Sequence, residues 1–336
     1  MKKSGPIRIE HGSGGALSRE LVEELIYPKL RTEAFPELSD ASAIEPGSEF
    51  LITTDGYVVD PPFFPGCDIG RLAVFGTCND LAVSGAEAVS MALGIIIEEG
   101  FLLEDLGRII DSLADAAKSV HVRVVTGDTK VVPSGKGGGV FLTTTGIGRR
   151  IFPLPLTPRR IGPGDRILVS GPLGAHGLSI LAAREGLPIG AGLRSDAAPL
   201  LPLCRELFTL GAELKFLRDA TRGGIAAVLN EMAQDARWGV LADEAAFPID
   251  ADVRATADIL GLNPLEIANE GVMVAAVSES TAERALALLR SHDLGRHASV
   301  VGIVTGERPA AVMMSTRIGG RRILDFPRGL LLPRIC

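Results

Sequence analysis

Residues 153–164, running Pro153-Leu154-Pro155-Leu156-Thr157-Pro158-Arg159-Arg160-Ile161-Gly162-Pro163-Gly164, restrict the fold more than any other stretch. Prolines lack a backbone donor and glycines loosen the chain, so neither a helix nor an interior strand runs through this segment. The chain divides there. Before it, apolar patterning predicts a strand at 50–54, a helix over 68–84, a strand over 89–97, a helix over 103–120 and strands at 122–125 and 140–147. After it come a strand at 166–170, a helix from about Gly177, helices over 201–210 and 225–234, a strand at 271–277, a helix over 281–291 and a strand at 299–304. Each half reads as α+β, without the alternation of a P-loop protein. The expected organisation is a glycine-rich segment and helix over 1–45, with Ser18 as the helix cap, an α+β domain over 46–155, a second α+β domain over 156–325, and a mobile tail over 326–336. A length of 336 residues suits two domains.

Glycine is heavily used, at 40 positions, while aromatic residues make up only 4%. That balance favours close backbone approach to phosphates over base stacking. A net charge of −7 argues against a broad nucleic-acid surface. Cysteines 67, 78, 204 and 336 show no C-x-x-C spacing, so neither a zinc knuckle nor a disulfide framework is indicated. No leader is visible, and apolar runs such as 91–97 fall far short of a membrane span. A cytoplasmic protein is expected.

Carboxylates recur beside glycines at the ends of the patterned segments. Asp55 precedes Gly56, Asp80 lies near a helix end, Asp128 follows Gly127, and Asp219 opens Asp219-Ala220-Thr221-Arg222-Gly223-Gly224. Such sites hold hard cations when a nucleotide supplies the remaining oxygens. Each alone is also an ordinary turn former. Lys130, two residues after Asp128, offers a point charge to a phosphate. Gly135-Lys136-Gly137 lacks phosphate-loop spacing. Gly171-Pro172-Leu173-Gly174-Ala175-His176-Gly177 imitates a dinucleotide turn with the wrong spacing, and reads as a helix N-terminus at a domain contact or cleft.

The chain ends on Pro333-Arg334-Ile335-Cys336. Prolines 327 and 333 exclude a helix, so the terminus reads as an extended arm whose thiol is either a carrier or incidental. A prenylation signal is excluded, because it needs the cysteine four residues from the end.

Together, His11-Gly12-Ser13-Gly14-Gly15, Thr54-Asp55-Gly56-Tyr57-Val58-Val59-Asp60-Pro61, Phe63-Phe64-Pro65-Gly66, Gly76-Thr77-Cys78-Asn79-Asp80-Leu81-Ala82-Val83-Ser84-Gly85, Thr126-Gly127-Asp128-Thr129-Lys130-Val131-Val132, the 219–224 turn, Ala268-Asn269-Glu270-Gly271 and the terminal Pro-Arg-Ile-Cys resemble the HypE family of hydrogenase maturation proteins. These matches run in order over nearly the whole chain. The resemblance implies the two-domain fold of aminoimidazole ribonucleotide synthetase, with a β-barrel closed across a homodimer and ATP near that interface. It implies ATP-dependent dehydration of a carboxamide on Cys336 to a thiocyanate. The carboxamide would be loaded by the carbamoyltransferase HypF, and the cyanide passed to iron on a HypC–HypD scaffold. Asp55, Asp80, Asp128 and Asp219 would hold Mg2+. Gly12, Ser13, Gly14, Gly15, Asn79, Asp80, Thr129, Lys130 and Thr221 would contact ATP, with Asn79 as a ligand or positioning group and Lys130 neutralising the transferring phosphoryl group. Glu270 is the expected base and Glu266 the runner-up, although Glu270 is also placed to be a cap or ion-pair partner. Arg334 is a candidate for docking the tail. Cys67 and Cys78 stand where the family pattern leads one to expect glycine and alanine, and the turn at His176 lacks an expected acidic residue, so no role attaches to His176. Two rivals remain open at this stage: a small-molecule kinase or ligase of the superfamily, and a nucleotide-gated adaptor.

Overall fold

A computed structural model describes residues 6–12, 14–30, 38–187, 192–327 and 335. Ser13, Arg334 and Cys336 lie outside the described residues. The N-terminal helical segment comprises α1 (Ala16–Leu21), a π turn over Val22–Ile26 and α2 (Tyr27–Leu30). Ser18 is inside α1 and not its cap. Gly15 takes the N-cap without a side-chain bond, and the Ser18 hydroxyl instead accepts from the Gly14 N–H at 2.9 Å.

The first domain contains β1 (Ser42–Ala43), β2 (Phe50–Tyr57), the short hairpin β3 (Phe63–Phe64) and β4 (Cys67–Asp68), α3 (Ile69–Val83), β5 (Ala86–Glu98), α4 (Leu103–Ser119), β6 (Arg123–Val132) and β7 (Val140–Arg150). One sheet has the order β1-β2-β7-β5-β6. Only β5 and β6 pair in parallel, as the helical crossover α4 between them requires. Asp55 and Asp128 therefore sit inside strands, not in turns after them. Along β2, Thr53 and Tyr57 alternate toward the buried face while Ile52, Thr54 and Gly56 face outward.

Helix α3 is apolar nearly all round, which a helix tolerates only when covered on every side. Asp68 caps it, its Oδ1 accepting from the N–H groups of Gly70 and Arg71. Two glycines let neighbours close in. A Cβ on Gly70 would lie 2.2 Å from the Ile109 carbonyl of α4, and one on Gly76 would lie 2.4 Å from the Tyr57 hydroxyl. Leu72 and Leu81 are fully buried, each contributing about 1.5–3 kcal/mol.

The second domain contains β8 (Arg166–Val169), α5 (Ala175–Glu185), α6 (Leu201–Phe208), β9 (Leu214–Asp219), α7 (Gly224–Ala236), β10 (Gly239–Asp243), α8 (Ala251–Leu260), β11 (Met273–Val277), α9 (Ala282–Arg290), β12 (Ser299–Thr305), β13 (Val312–Ser315) and β14 (Arg321–Ile323). Its sheet runs β14-β13-β10-β12-β8-β11-β9. β11 is buried along its length because helices cover both faces. Val274 and Ala276 join the cluster with α7, while Met273, Ala275 and Val277 join that with α6 and α9. The linker is pinned rather than loose: Arg160 donates to the carbonyls of Pro155, Ala212 and Leu214. No described helix is long and apolar enough to cross a membrane.

Candidate active site

The C-terminal half of α3 reaches the end of β9 between the two domains. Asp80 of α3, Asp219 of β9 and Asp40, just before β1, each offer a carboxylate oxygen within 4.8 Å of the others. Asp40 pairs with Arg218 Nε at 3.2 Å, and Arg218 Nη1 contacts Glu231 at 2.7 Å. Thr53 Oγ1 lies 2.7 Å from the Asp40 carbonyl and 2.8 Å from Asp80 Oδ2. A hydroxyl has one proton, so both contacts are hydrogen bonds at once only when Asp80 carries a proton itself. Burial first, then the charges of Asp219, Asp55 and Asp40, hold Asp80 well above the carboxylate range. Burial and Asp40 push Asp219 up to about 8, against the opposing pull of Arg218. The donors are hard oxygens in a charge-crowded place, and a hard divalent cation would relieve that crowding. The residues fit Mg2+.

Asp55 faces this cluster from β2, steadied by the Tyr57 hydroxyl at 3.2 Å. Tyr57 in turn contacts Thr77 at 3.1 Å, and Thr77 meets Thr144. Glu270 approaches from the other domain and is 4% exposed. Burial, then Asp219, Asp196 and Asp55, keep its carboxyl well above the usual range. Its backbone is held on both sides: the N–H donates to Asp196 Oδ1 at 3.1 Å, and the carbonyl accepts from Asn79 Nδ2 at 3.1 Å. Glu266 lies elsewhere. Its Oε1 accepts from Asn263 at 2.8 Å, and it lines a cavity of about 300 Å3 with Asp325, Phe326 and Pro327.

Other expected residues are placed differently. The Asn79 amide donates to Ala198 O and Glu270 O, and its Oδ1 accepts from Leu200 N–H at 2.8 Å. It positions the second domain and is not presented as a free ligand. Thr221 lies in the turn after Asp219. Gly12 and Gly14 fold against that same turn: Arg222 Nη1 donates to Gly12 O at 3.3 Å, and a Cβ on Gly14 (φ +76°) would lie 2.4 Å from Arg222 Cβ. Asp128, Thr129 and Lys130 do not join the cluster within one chain. They lie on the exposed edge strand β6, where Lys130 Nζ is 2.5 Å from Asp128 Oδ2. Asp128 sits opposite Gly94, Gly94 opposite Thr143, and Thr143 opposite Gly56. Three strand spacings, about 14 Å, separate β6 from β2.

Sequence reasoning missed several residues. Asp40 falls in a stretch that reads only as loop. Ser195 and Asp196 carry no motif, yet Asp196 touches Glu270. Its Oδ2 is buried with no hydrogen-bond partner, and burial pushes the carboxyl up to about 6. His176, given no role, is fully buried, with Nε2 2.8 Å from the carbonyl of Ile335. Ile335 also forms an antiparallel bridge with Val59, two residues beyond Tyr57.

Comparison with known proteins turns this arrangement into a family assignment. Residues 38–150 match the model described as AIR synthase related protein, N-terminal domain, and residues 162–314 its C-terminal domain. The chain is 45% identical over 335 residues to "Carbamoyl dehydratase HypE" of Azotobacter vinelandii, covering 99% of this chain and 98% of that protein. It belongs to the HypE family of carbamoyl dehydratases. The Escherichia coli K12 relative of the same name is 40% identical over 336 residues, with 98% and 99% covered. A HypE crystal structure in complex with ATP superposes with a TM-score of 0.83 at 40% identity, covering 98% of this chain and all (100%) of that one. The HypE of a HypE–HypF complex gives 0.87 at 39% identity, covering 91% and 99%.

Proposed function

We propose that the protein dehydrates a carboxamide on its own Cys336 to a thiocyanate, with ATP as phosphoryl donor, and so supplies cyanide ligands for the iron of nickel–iron hydrogenase. The observation that carries this reading is the seat of the penultimate residue. Ile335 bridges Val59, two residues beyond the end of β2, the strand that carries Asp55. That seat supports delivery of the terminal thiol toward the carboxylates that converge from the two domains.

An amide oxygen leaves poorly and a phosphate leaves well. The carboxamide oxygen bonds the γ-phosphorus of ATP as its bond to ADP breaks, and the first N–H proton passes to water. The C–O bond then breaks, phosphate departs with the electron pair, and the second N–H proton goes to a base. A carbon–nitrogen triple bond remains on sulfur. Glu270 is the proposed base: its site favours the protonated carboxyl, which strengthens the carboxylate as an acceptor. Asp80, Asp219 and Asp55, joined by Asp40, would hold Mg2+, which screens phosphate charge when bound. Gly12, Gly14, Gly15, Ser13 and Thr221 would border the phosphates, the glycine segment being folded onto the 219–224 turn.

The active unit is proposed to be a homodimer. β6 is exposed along nearly its whole length, with Val125 at 60% and Val131 at 67% exposure. Such an edge is normally covered or paired. Pairing two copies there would close a barrel and bring Asp128, Thr129 and Lys130 to an interface where ATP is shared. HypF is the proposed source of the carboxamide, in keeping with the relative solved in complex with it, and a HypC–HypD scaffold the proposed acceptor. Intact mass spectrometry after incubation with HypF, carbamoyl phosphate and ATP tests the reading. Loading should add a carboxamide to Cys336 and ATP should then remove one water. Normal loading and dehydration of Cys336→Ser would overturn it.

A further inference from the structure

His176 and the penultimate residue form a contact that the proposed chemistry does not itself require. The imidazole is fully buried at the start of α5, edge-on to the Phe64 ring, with centroids 5.6 Å apart. Nε2 is 2.8 Å from Ile335 O and Nδ1 is 2.8 Å from Ser195 Oγ. A carbonyl only accepts, so Nε2 carries the proton. The neutral ring then accepts at Nδ1 from the Ser195 hydroxyl, whose oxygen itself accepts from Ala197 N–H at 3.1 Å. Every polar atom of this chain of contacts has one consistent role. The Ser195 backbone N–H donates to Pro65 O at 2.8 Å, and the next residue, Asp196, holds the Glu270 N–H. One loop therefore supports both the seat of the tail and the backbone of the proposed base.

We infer that His176 is the positioning residue for the C-terminal tail: its Nε2–H, oriented by Ser195, clamps the carbonyl of Ile335, while the Ile335 side chain anchors in the apolar wall around Val59 and Phe64, fixing where the terminal residue is delivered. The role deepens the reading in which Cys336 carries the carboxamide and rests on it for its purpose. The contact itself is independent of that chemistry. A peptide carbonyl held by a buried imidazole is recognised whatever group the last side chain bears, so the clamp suits an arm that must dock as free thiol, carboxamide and nitrile in turn. Three cysteines, 67, 78 and 204, are half-buried or buried, which lets the labelling of Cys336 be followed separately by peptide mass.

The test compares His176→Leu and His176→Gln with the parent protein. Leu removes both the donor to the Ile335 carbonyl and the acceptor of the Ser195 hydroxyl proton. Gln can donate from its amide to Ile335 and accept at its oxygen from Ser195. The first readout is the rate at which iodoacetamide labels unloaded Cys336, which needs no turnover. His176→Leu should raise it about tenfold, the scale of a lost buried hydrogen bond, and His176→Gln should return it to within about twofold of the parent. In single-turnover dehydration after loading, His176→Leu should slow the reaction while ATP affinity stays at the parent value. An unchanged labelling rate in a folded His176→Leu protein overturns the clamp. The second readout avoids any change at His176. Imidazole 15N chemical shifts should show a neutral Nε2–H ring in the full chain, and this Nε2 proton should lose its exchange protection in a chain truncated after residue 334. Identical His176 signals in both chains would also overturn it. Loss of protection without any dehydration in the parent protein would leave the clamp standing and reject the proposed chemistry instead.

Discussion

Two acidic sites that look alike in the sequence behave oppositely in the fold. Asp80 and Asp219 converge with Asp40 and Asp55 between the domains, buried enough to keep protons that aqueous carboxylates would release. Asp128 sits on an open strand edge, its charge answered by Lys130 two residues on. That neighbour and the Thr129 N–H hold its carboxyl below the usual range. The first site is pre-assembled and electrostatically unfinished. The second is electrostatically finished within the chain and geometrically unfinished. Burial is what supports the proposed cation in one place, and exposure of a strand edge is what supports the proposed second copy of the chain in the other.

The largest effect is expected where the buried side bears the proposed chemistry. A positioned base contributes roughly 10²–10⁴-fold, so Glu270→Gln should slow single-turnover dehydration by about that factor while loading and ATP binding persist. Glu266→Gln should be near neutral, since its carboxylate faces Asn263 and a separate cavity. Stopped quench with mass detection reads both. Full activity in Glu270→Gln would assign the proton elsewhere.

Next in size is the contrast within the acid set. Asp80→Asn should weaken Mg-ATP binding by about 10–100-fold in calorimetry, the scale of losing a charge-assisted contact of about 1.5–3 kcal/mol. It should at the same time raise the thermal midpoint in chelator, because the amide needs no proton to sit uncharged among the buried acids. Asp128→Asn should leave that midpoint within the small range typical of surface changes, about 0.5 kcal/mol. Equal shifts in both variants would erase the distinction between buried and exposed acids.

The strand edge yields a third expectation. Val125→Lys on β6 adds a charge to a face proposed to pair with its own copy, placing like charges near one another. Light scattering should show the dimer dissociating at micromolar concentration, with monomer stability little changed. A variant that stays dimeric would move the interface off this edge.

Much of this contrast could not be read from the chain. The longer elements of the first domain were legible because α4 is strongly amphipathic and α3 and the strands around it are extended apolar runs, while the two-residue strands β1, β3 and β4 escaped. In the second domain β9, β10, α8, β13 and β14 escaped. Several are short, and β9 interrupts its apolar run with Lys215 and Arg218. Asp55 and Asp128 read as turn residues because glycine follows one and precedes the other, yet β2 and β6 continue through both. The family motifs pointed to Asp80, Asp219 and Glu270, but Asp40, Asp196 and Ser195 lack a local signature. Their proximity to the site comes from long-range packing of the domains, which single-sequence periodicity does not report. His176 was visible but unassignable, since its partner is 159 residues away.

The smallest expected effect is one of pH, and it separates the tail seat from the acid cluster by its sign. Burial lowers the His176 pKa to about 4, with the Ile335 carbonyl pulling the other way and no charged side chain contributing. Withdrawal of the tail would let water reach the ring and move its pKa back toward the ordinary value of 6.5. The undocked state therefore binds more protons between pH 6.5 and about 4, and docking weakens as pH falls through that window. Above it both states are neutral and docking is independent of pH. The docking equilibrium constant should drop by at most about threefold from pH 7 to 6, the limit set by a fully hydrated ring, and further toward pH 5. The buried carboxylates run in the opposite direction. Their raised pKa values make the folded state bind the extra protons, so their repulsion grows as pH rises toward the folded value, about 8 for Asp219. Labelling of Cys336, corrected for the reagent's own thiolate dependence with a model peptide, should therefore rise below pH 6.5 in the parent protein. It should be flat across the same range in His176→Gln, whose amide does not titrate. A slope that persists in His176→Gln would place the titrating group in the acid cluster, and make tail docking a consequence of that buried charge rather than of the imidazole.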